Sequence, residues 1–292
     1  MVPSTRNLHI WVMLRPLFLF FLACLPFSGH SQNTLLFEIQ GKGLKGPSYL
    51  FGTMHLICPD RFQTSDKVKS RLQQAEQLIL ELDMSAPKFK ENMQKALLYP
   101  EGQDLQKNML PKSYDSLKTW FSARAGIDLD KLKQMKPLGL MSLMYMKMLN
   151  CMPESVEDRL VSLVAEHKKP VVGLESAAFQ ANLFEGMGDP AELILEIIRK
   201  PEEAKAELDT LVSMYVREDV NGLYKAIQES HFSGEGFQKK LLEDRNKAWI
   251  PRIDILCREK SSFIAVGAGH LGGPEGLIAL LKKQGYQVTP VH

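Results

Sequence analysis

Hydrophobic and polar residues along this chain repeat with two periods. A period of two marks strands. Residues 34–39 (TLLFEI) alternate, Gly41-Lys42-Gly43 supplies a turn, and Ser48 to Phe51 (SYLF) continues as the second arm of a hairpin. Three further runs have strand length but little alternation, the pattern of strands covered on both faces: residues 77–82 (QLILEL), 171–175 (VVGLE) and 262–266 (SFIAV). Tyr286-Gln287-Val288 closes the set. A period near 3.6 marks the helices between them. Ser65 opens one that runs to about Ala75, with Val68, Leu72 and Ala75 on one face. Ser155-Val156-Glu157-Asp158 fits a capping box before a helix with Leu160, Leu163 and Val164 inward, stopped at Pro170. A last helix begins at Pro274, buries Leu277, Leu280 and Leu281, and stops at Gly285. Residues 87–151 and 177–250 read as helical insertions, broken at Pro100, Pro111, Pro137, 186–190, Pro201 and 234–236. Strands alternating with helices predict an α/β fold with a central mixed sheet and a large helical insertion. No linker or charge block interrupts residues 33–292, so a single domain over 32–292 is expected.

The N-terminus stands apart. Arg6 and Arg15 form a basic segment, residues 17–25 (LFLFFLACL) an apolar run too short to span a bilayer, and Gly29 and Ser31 provide small residues before Gln32. This is the layout of a signal peptide over residues 1–31 and predicts an exported protein, periplasmic or secreted. The alternative is a lipoprotein anchored through Cys24. No transmembrane span is expected in the mature chain. The formal charge of +2 comes from Arg6 and Arg15, because 34 basic residues then face 34 acidic ones. A neutral surface gives no electrostatic case for nucleic acid. Of the three remaining cysteines, Cys58 and Cys151 are the candidate disulfide, with Cys257 in a buried-looking run. Three unpaired thiols are the alternative.

Two segments resemble each other. Residues 49–56 (YLFGTMHL) and 264–271 (IAVGAGHL) each read as a strand running into Gly-x-x-His-Leu. Each glycine is expected to turn the chain off its strand end, hanging His55 and His270 over the edge where ligands bind in open α/β sheets. Glu81 and Glu175 end two other apolar runs, where an unpaired carboxylate is costly. Two histidines and two glutamates at strand ends have the composition of a metal or acid–base site. The competing reading is a structural ion network. His167, beside two lysines at a helix end, and His231, before a Gly-rich loop, read as surface residues. The methionines between 135 and 152 read as core, or as a pliable groove.

The segments FGTMHL and VGAGHLGGPEGLIALLKKQGYQV, with LILELD, VVGLES and LLEDRNKAWI between them, resemble the TraB/PrgY/GumN family, which includes the Tiki metalloproteases. The resemblance spans the mature chain and implies a fold like that of the erythromycin-esterase and ChaN proteins. It also implies a metal-dependent hydrolase acting on a peptide or protein substrate. By position, His55, His270 and Glu81 would hold a divalent ion (Mn, Co or Zn) and Glu175 would act as general base. Arg245 would hold a carboxylate or steady an oxyanion, with Asn246 beside it contacting substrate. A non-catalytic peptide- or haem-binding protein using the same pocket is the alternative.

Overall fold

The computed structural model describes residues 33–183, 192–231, 236 and 238–292. The expected signal peptide and Cys24 lie outside the described residues. Residues 33–292 form one compact unit.

Six strands make one mixed sheet in the order β4-β3-β5-β2-β1-β6. They are β1 (Leu36–Gln40), β2 (Ser48–Thr53), β3 (Gln77–Leu82), β4 (Val171–Glu175), β5 (Ser262–Gly267) and β6 (Gln287–Pro290). The opening hairpin forms as read, β1 pairing antiparallel with β2 on one side and with β6 on the other. The strands carrying the candidate residues are all parallel: β2 with β5, β5 with β3, and β3 with β4. Every residue of β2 and β3 is buried, as continuous apolar runs require when helices cover both faces.

The helix Asp66–Gln74 connects β2 to β3, and Leu277–Lys283 connects β5 to β6. Ser65 stands at the first helix's N-cap without a side-chain bond to it, whereas Ser155 does accept from the Asp158 amide at the start of Val156–Ala165. Pro111, Pro137 and Pro201 begin helices rather than ending them, because the missing N–H is unneeded in a first turn. The insertion has a core of its own around Leu117, Phe121, Leu140, Met144, Ile194 and Ile197. Among the described residues, no helix is long and apolar enough to cross a membrane.

A second connection matters to the site. Cys58 is disulfide-bonded to Cys151, closing a separation of 93 residues, and Cys257 is a buried free thiol. Beside the disulfide, Ile57 and Glu154 exchange backbone hydrogen bonds of 3.0 and 2.9 Å, and the Val156 amide donates to the Met54 carbonyl. The segment before helix Val156–Ala165 is thereby sewn to the segment after β2. Alkylation of denatured, unreduced protein is expected to label Cys257 and neither Cys58 nor Cys151; label on all three would remove the bridge.

Candidate functional site

Parallel pairing brings the carboxyl ends of four strands level. Thr53 of β2 is opposite Gly267 of β5, and Leu82 of β3 is opposite Glu175 of β4. His55, Glu81, Glu175, Arg245, Asn246 and His270 all converge there. His270 ends a short helical turn, Ala268–His270, directly after β5. Arg245 and Asn246 lie in the first turn of helix Asp244–Glu259, on its buried face with Trp249 and Ile250.

The two glycines do something other than turn the chain. Gly52 lies inside β2, and a Cβ there would come within 3.1 Å of Ala268 and Leu271, so glycine lets the turn after β5 pack onto β2. Gly267 ends β5, and a Cβ there would face Glu81 Oε1 at 3.4 Å, His55 Nε2 at 3.6 Å and His270 Cδ2 at 3.7 Å. Its bare backbone makes room among three candidate ligands, and its N–H donates to Glu81 Oε1 at 2.8 Å.

Both imidazoles are held by Nδ1 and present Nε2 to Glu81. His270 Nδ1 lies 2.7 Å from Asn246 Oδ1. The Asn246 amide nitrogen donates to the carbonyls of His270 and Glu275, so Oδ1 is the atom facing the ring, and Nδ1 carries the proton. His270 Nε2 is then an acceptor, 3.3 Å from Arg245 and 3.7 Å from Glu81 Oε1. Trp249 packs on the His270 ring with centroids 4.5 Å apart. His55 Nδ1 pairs with Glu157 Oε1 at 2.8 Å, and its Nε2 lies 4.0 Å from Glu81 Oε1.

Sequence reasoning took Glu157 for part of a helix cap. It is instead a buried carboxylate that holds His55 and also accepts from the hydroxyls of Thr53 and Ser155. One signal was available: Glu157, Leu160 and Val164 fall at spacings of three and four, placing an acid on the apolar face. Trp249 and Gln180 were also missed. Trp249 stands four residues after Arg245 on the same helix face. Gln180, from the short helix Ala177–Ala181, donates to both Glu81 and Glu175. His167 and His231 are exposed, and neither lines the cavity above the cluster.

Arg245 ties the acids together. Its Nε and one terminal nitrogen meet the two oxygens of Glu175 at 2.9 and 2.8 Å, and the same terminal nitrogen donates to Glu81 Oε2 at 2.5 Å. All three side chains are at most 8 % exposed. Glu175 also accepts from Trp249 Nε1 at 2.9 Å. With Gln180 counted, four donors occupy its oxygens.

Electrostatics follow from these contacts. The Glu157 carboxylate raises the His55 pKa to about 9; the side chain is 64 % exposed, so little desolvation opposes it. Burial lowers that of His270 to about 3, leaving the ring neutral. Burial pushes Glu81 up, but the two histidines, Arg245 and the Gly267 amide outweigh it and hold the carboxyl at about 2. For His55 the folded state favours the protonated ring. That stabilisation is complete below the ordinary value of 6.5 and is lost as pH rises toward 9. Chelator-treated protein is therefore expected to lose urea resistance between pH 6.5 and 9, and Glu157→Gln to flatten that slope. An unchanged slope in the variant would mean that Glu157 does not hold the charge on His55.

The TraB/PrgY/gumN family model matches residues 35–290. The chain belongs to the TraB/PrgY/gumN family. No curated protein and no solved structure matches it. In this family member the matched span includes the whole sheet and every residue of the converging cluster.

Above the cluster lies a cavity of about 750 Å³, bounded at one end by His55, Glu81, Glu157 and Gln180 and elsewhere mainly by leucines and methionines. Its walls come from the helical insertion as well as from the sheet edge: Phe89 and Met93, Leu138 and Met141, Leu208 and Leu211.

Proposed function

We propose that this protein is an exported, metal-dependent hydrolase of amide bonds, with His55, His270 and Glu81 as the ligands of one divalent ion. The observation that carries the reading is the matched orientation of the two imidazoles. Each is fixed at Nδ1 by a buried side chain, Glu157 or Asn246, and each aims Nε2 at the same oxygen of Glu81. Holding a ligating histidine through its other nitrogen is the usual device for setting its tautomer and aim.

The donor set fits a divalent ion. Two neutral imidazole nitrogens and a carboxylate suit Zn, Mn or Co. His55 must give up its proton to ligate, and the carboxylates of Glu81, Glu157 and Glu175 then face Arg245 alone, leaving two negative charges for a divalent cation to offset. Among the described residues no group of three or more His, Cys, Asp or Glu stands at ligand distances. The 3.7–4.0 Å separations must therefore shorten around an ion, and Arg245 must yield its contact with His270 Nε2. A bound divalent ion supplies Lewis acidity and a water acidic enough to attack at neutral pH.

The chain's own residues would do the rest. Glu157 and Asn246 orient the rings. All five Arg245 N–H groups are engaged, on Glu175 twice, Glu81, the Leu241 carbonyl and His270 Nε2; the one released when His270 Nε2 turns to an ion would be left to meet a substrate oxygen as charge develops there. Gln180 bridges Glu81 and Glu175, and its withdrawal on substrate binding would free a Glu175 oxygen to accept a proton. The Cys58–Cys151 bridge supports an oxidising compartment, as export implies.

One feature favours a second reading, a non-catalytic binding protein. Arg245 already satisfies both Glu81 and Glu175, so the cluster is electrostatically ordered with no guest. Metal analysis separates the two. Purified protein is expected to carry or take up about one equivalent of Mn, Co or Zn, with His55→Ala and His270→Ala losing it while keeping their circular dichroism. Equal metal content in the wild type and both variants would overturn the metal site.

A further inference from the structure

We propose that the cavity beside His55 and Glu81 seats a long apolar acyl chain, so that the bond presented to the site is the amide of an N-acylated amine or peptide. The proposal deepens the hydrolase reading and rests on it for the reaction, though not for binding.

Size comes first. A dry cavity of about 150 Å³ is enough to take a benzene ring. The space here is about 750 Å³, so one aromatic or aliphatic side chain of a peptide would leave most of it empty. A flexible chain of many methylenes can fill it.

Polarity decides between such a chain and a peptide backbone. An extended peptide carries an N–H and a C=O every 3.3 Å or so, and each costs free energy when buried without a partner. His55, Glu81, Ser155, Glu157 and Gln180 among the lining residues are joined to one another by hydrogen bonds and ion pairs, and so form one end of the cavity. The remaining wall is chiefly Leu, Met and Phe; its polar members are Ser142 and Tyr145 on the helix Pro137–Leu149, Glu207 on Pro201–Val216, and Ser230. A single polar head followed by an uninterrupted apolar tail matches that layout. A threaded backbone does not.

The methionines add to the case. Met54, Met84, Met93 and Met141 all face the cavity, and their unbranched, polarisable side chains adapt to a chain of variable length and bend. Of the 135–152 methionines, Met141 fits both readings, being buried in the insertion's core and lining the cavity. Met144 lies wholly in the insertion's core, and Met152 is exposed.

With the acyl chain in the cavity, its amide carbonyl lies at the polar end, next to His55 and Glu81, with the buried His270 behind Glu81. Hydrolysis there consumes one water. Its hydroxyl bonds to the acyl carbon, the carbon–nitrogen bond breaks, and the nitrogen leaves with the water's other proton. The products are a fatty acid and a free amine.

The test is a binding series with the full, disulfide-intact chain, titrated calorimetrically with saturated N-acylglycinamides from butanoyl to hexadecanoyl. Affinity is expected to rise roughly fourfold per added methylene until the cavity is full, and then to level off. Met93→Trp and Leu208→Trp, placed on two different walls, should each end the rise at a shorter chain. Affinity that does not depend on chain length overturns the proposal. So does a rise that both folded variants leave unaltered, or equally tight binding of tripeptide amides rich in Leu and Phe. If neither variant folds, the wild-type series and the tripeptides decide. Hydrolysis of the same amides is followed separately by amine release. Chain-length-dependent binding without amine release keeps the cavity assignment and removes the hydrolase reading. Amine release that is indifferent to chain length does the reverse.

Discussion

Replacing Arg245 by Met is expected to destabilise the fold by about 3–5 kcal/mol, read as a lower urea midpoint at neutral pH. Methionine keeps most of the buried stem volume, so the loss is chiefly electrostatic. Glu81 and Glu175, both at most 8 % exposed, would be left facing each other across Gln180 without their shared cation. Desolvation makes that far costlier than breaking a surface pair, for which about 0.2–1 kcal/mol is usual. Two companions check the cause. Arg245→Lys keeps the charge but loses the two-point grip on Glu175, and should fall between wild type and Met. Adding Glu175→Gln to the Met variant removes one stranded charge and should restore part of the loss. If the Met variant unfolds within about 1 kcal/mol of wild type, the cluster is not a stabilising network and Arg245 is there for function alone.

Replacing His270 by Ala is expected to lower kcat by roughly 10³-fold, mid-range for removing a group that touches the reacting centre, with the fold retained. Asn246→Ala should cost a smaller factor, about 10–100, because it acts through the ring that it orients. The Asn246 amide bonds 2.7 Å from His270 Nδ1 and also ties the backbone at Glu275, so its loss frees the imidazole to rotate or change tautomer. A positioning role predicts that Asn246→Asp, which can still accept from Nδ1, recovers more activity than Ala. Equal losses for Ala and Asp, or full activity in His270→Ala, would remove these residues from the reaction.

Much of this architecture was legible along the chain. Strands β3 and β4 were read to the residue, because apolar runs of strand length between polar flanks leave few alternatives. The two Gly-x-x-His segments and the strand-end acids Glu81 and Glu175 were visible as residues in costly places. The reason for the glycines was not. Nothing local distinguishes a glycine that turns a chain from one, such as Gly52, that admits a neighbouring segment within 3.1 Å. Proline was misread in a similar way. Pro111, Pro137 and Pro201 open helices here, because the same missing N–H that breaks a helix interior costs nothing in its first turn.

What the sequence determined by itself is therefore the class of fold, the strands, and which side chains were too polar for their places. Tertiary structure alone decided how they meet. That β2, β5, β3 and β4 all run parallel, so that residues from 55 to 270 share one edge, depends on pairings between segments up to about two hundred residues apart. The role of Glu157 shows this most plainly. Locally it belongs to a helix start. It becomes the partner of His55 because the Cys58–Cys151 bridge and the Ile57–Glu154 pairing fasten that helix start to the segment after β2. Local patterns report which faces are apolar, since burial has a period. They do not report which buried acid will face which buried base, because that is set by the packing of whole elements and leaves no period in the chain.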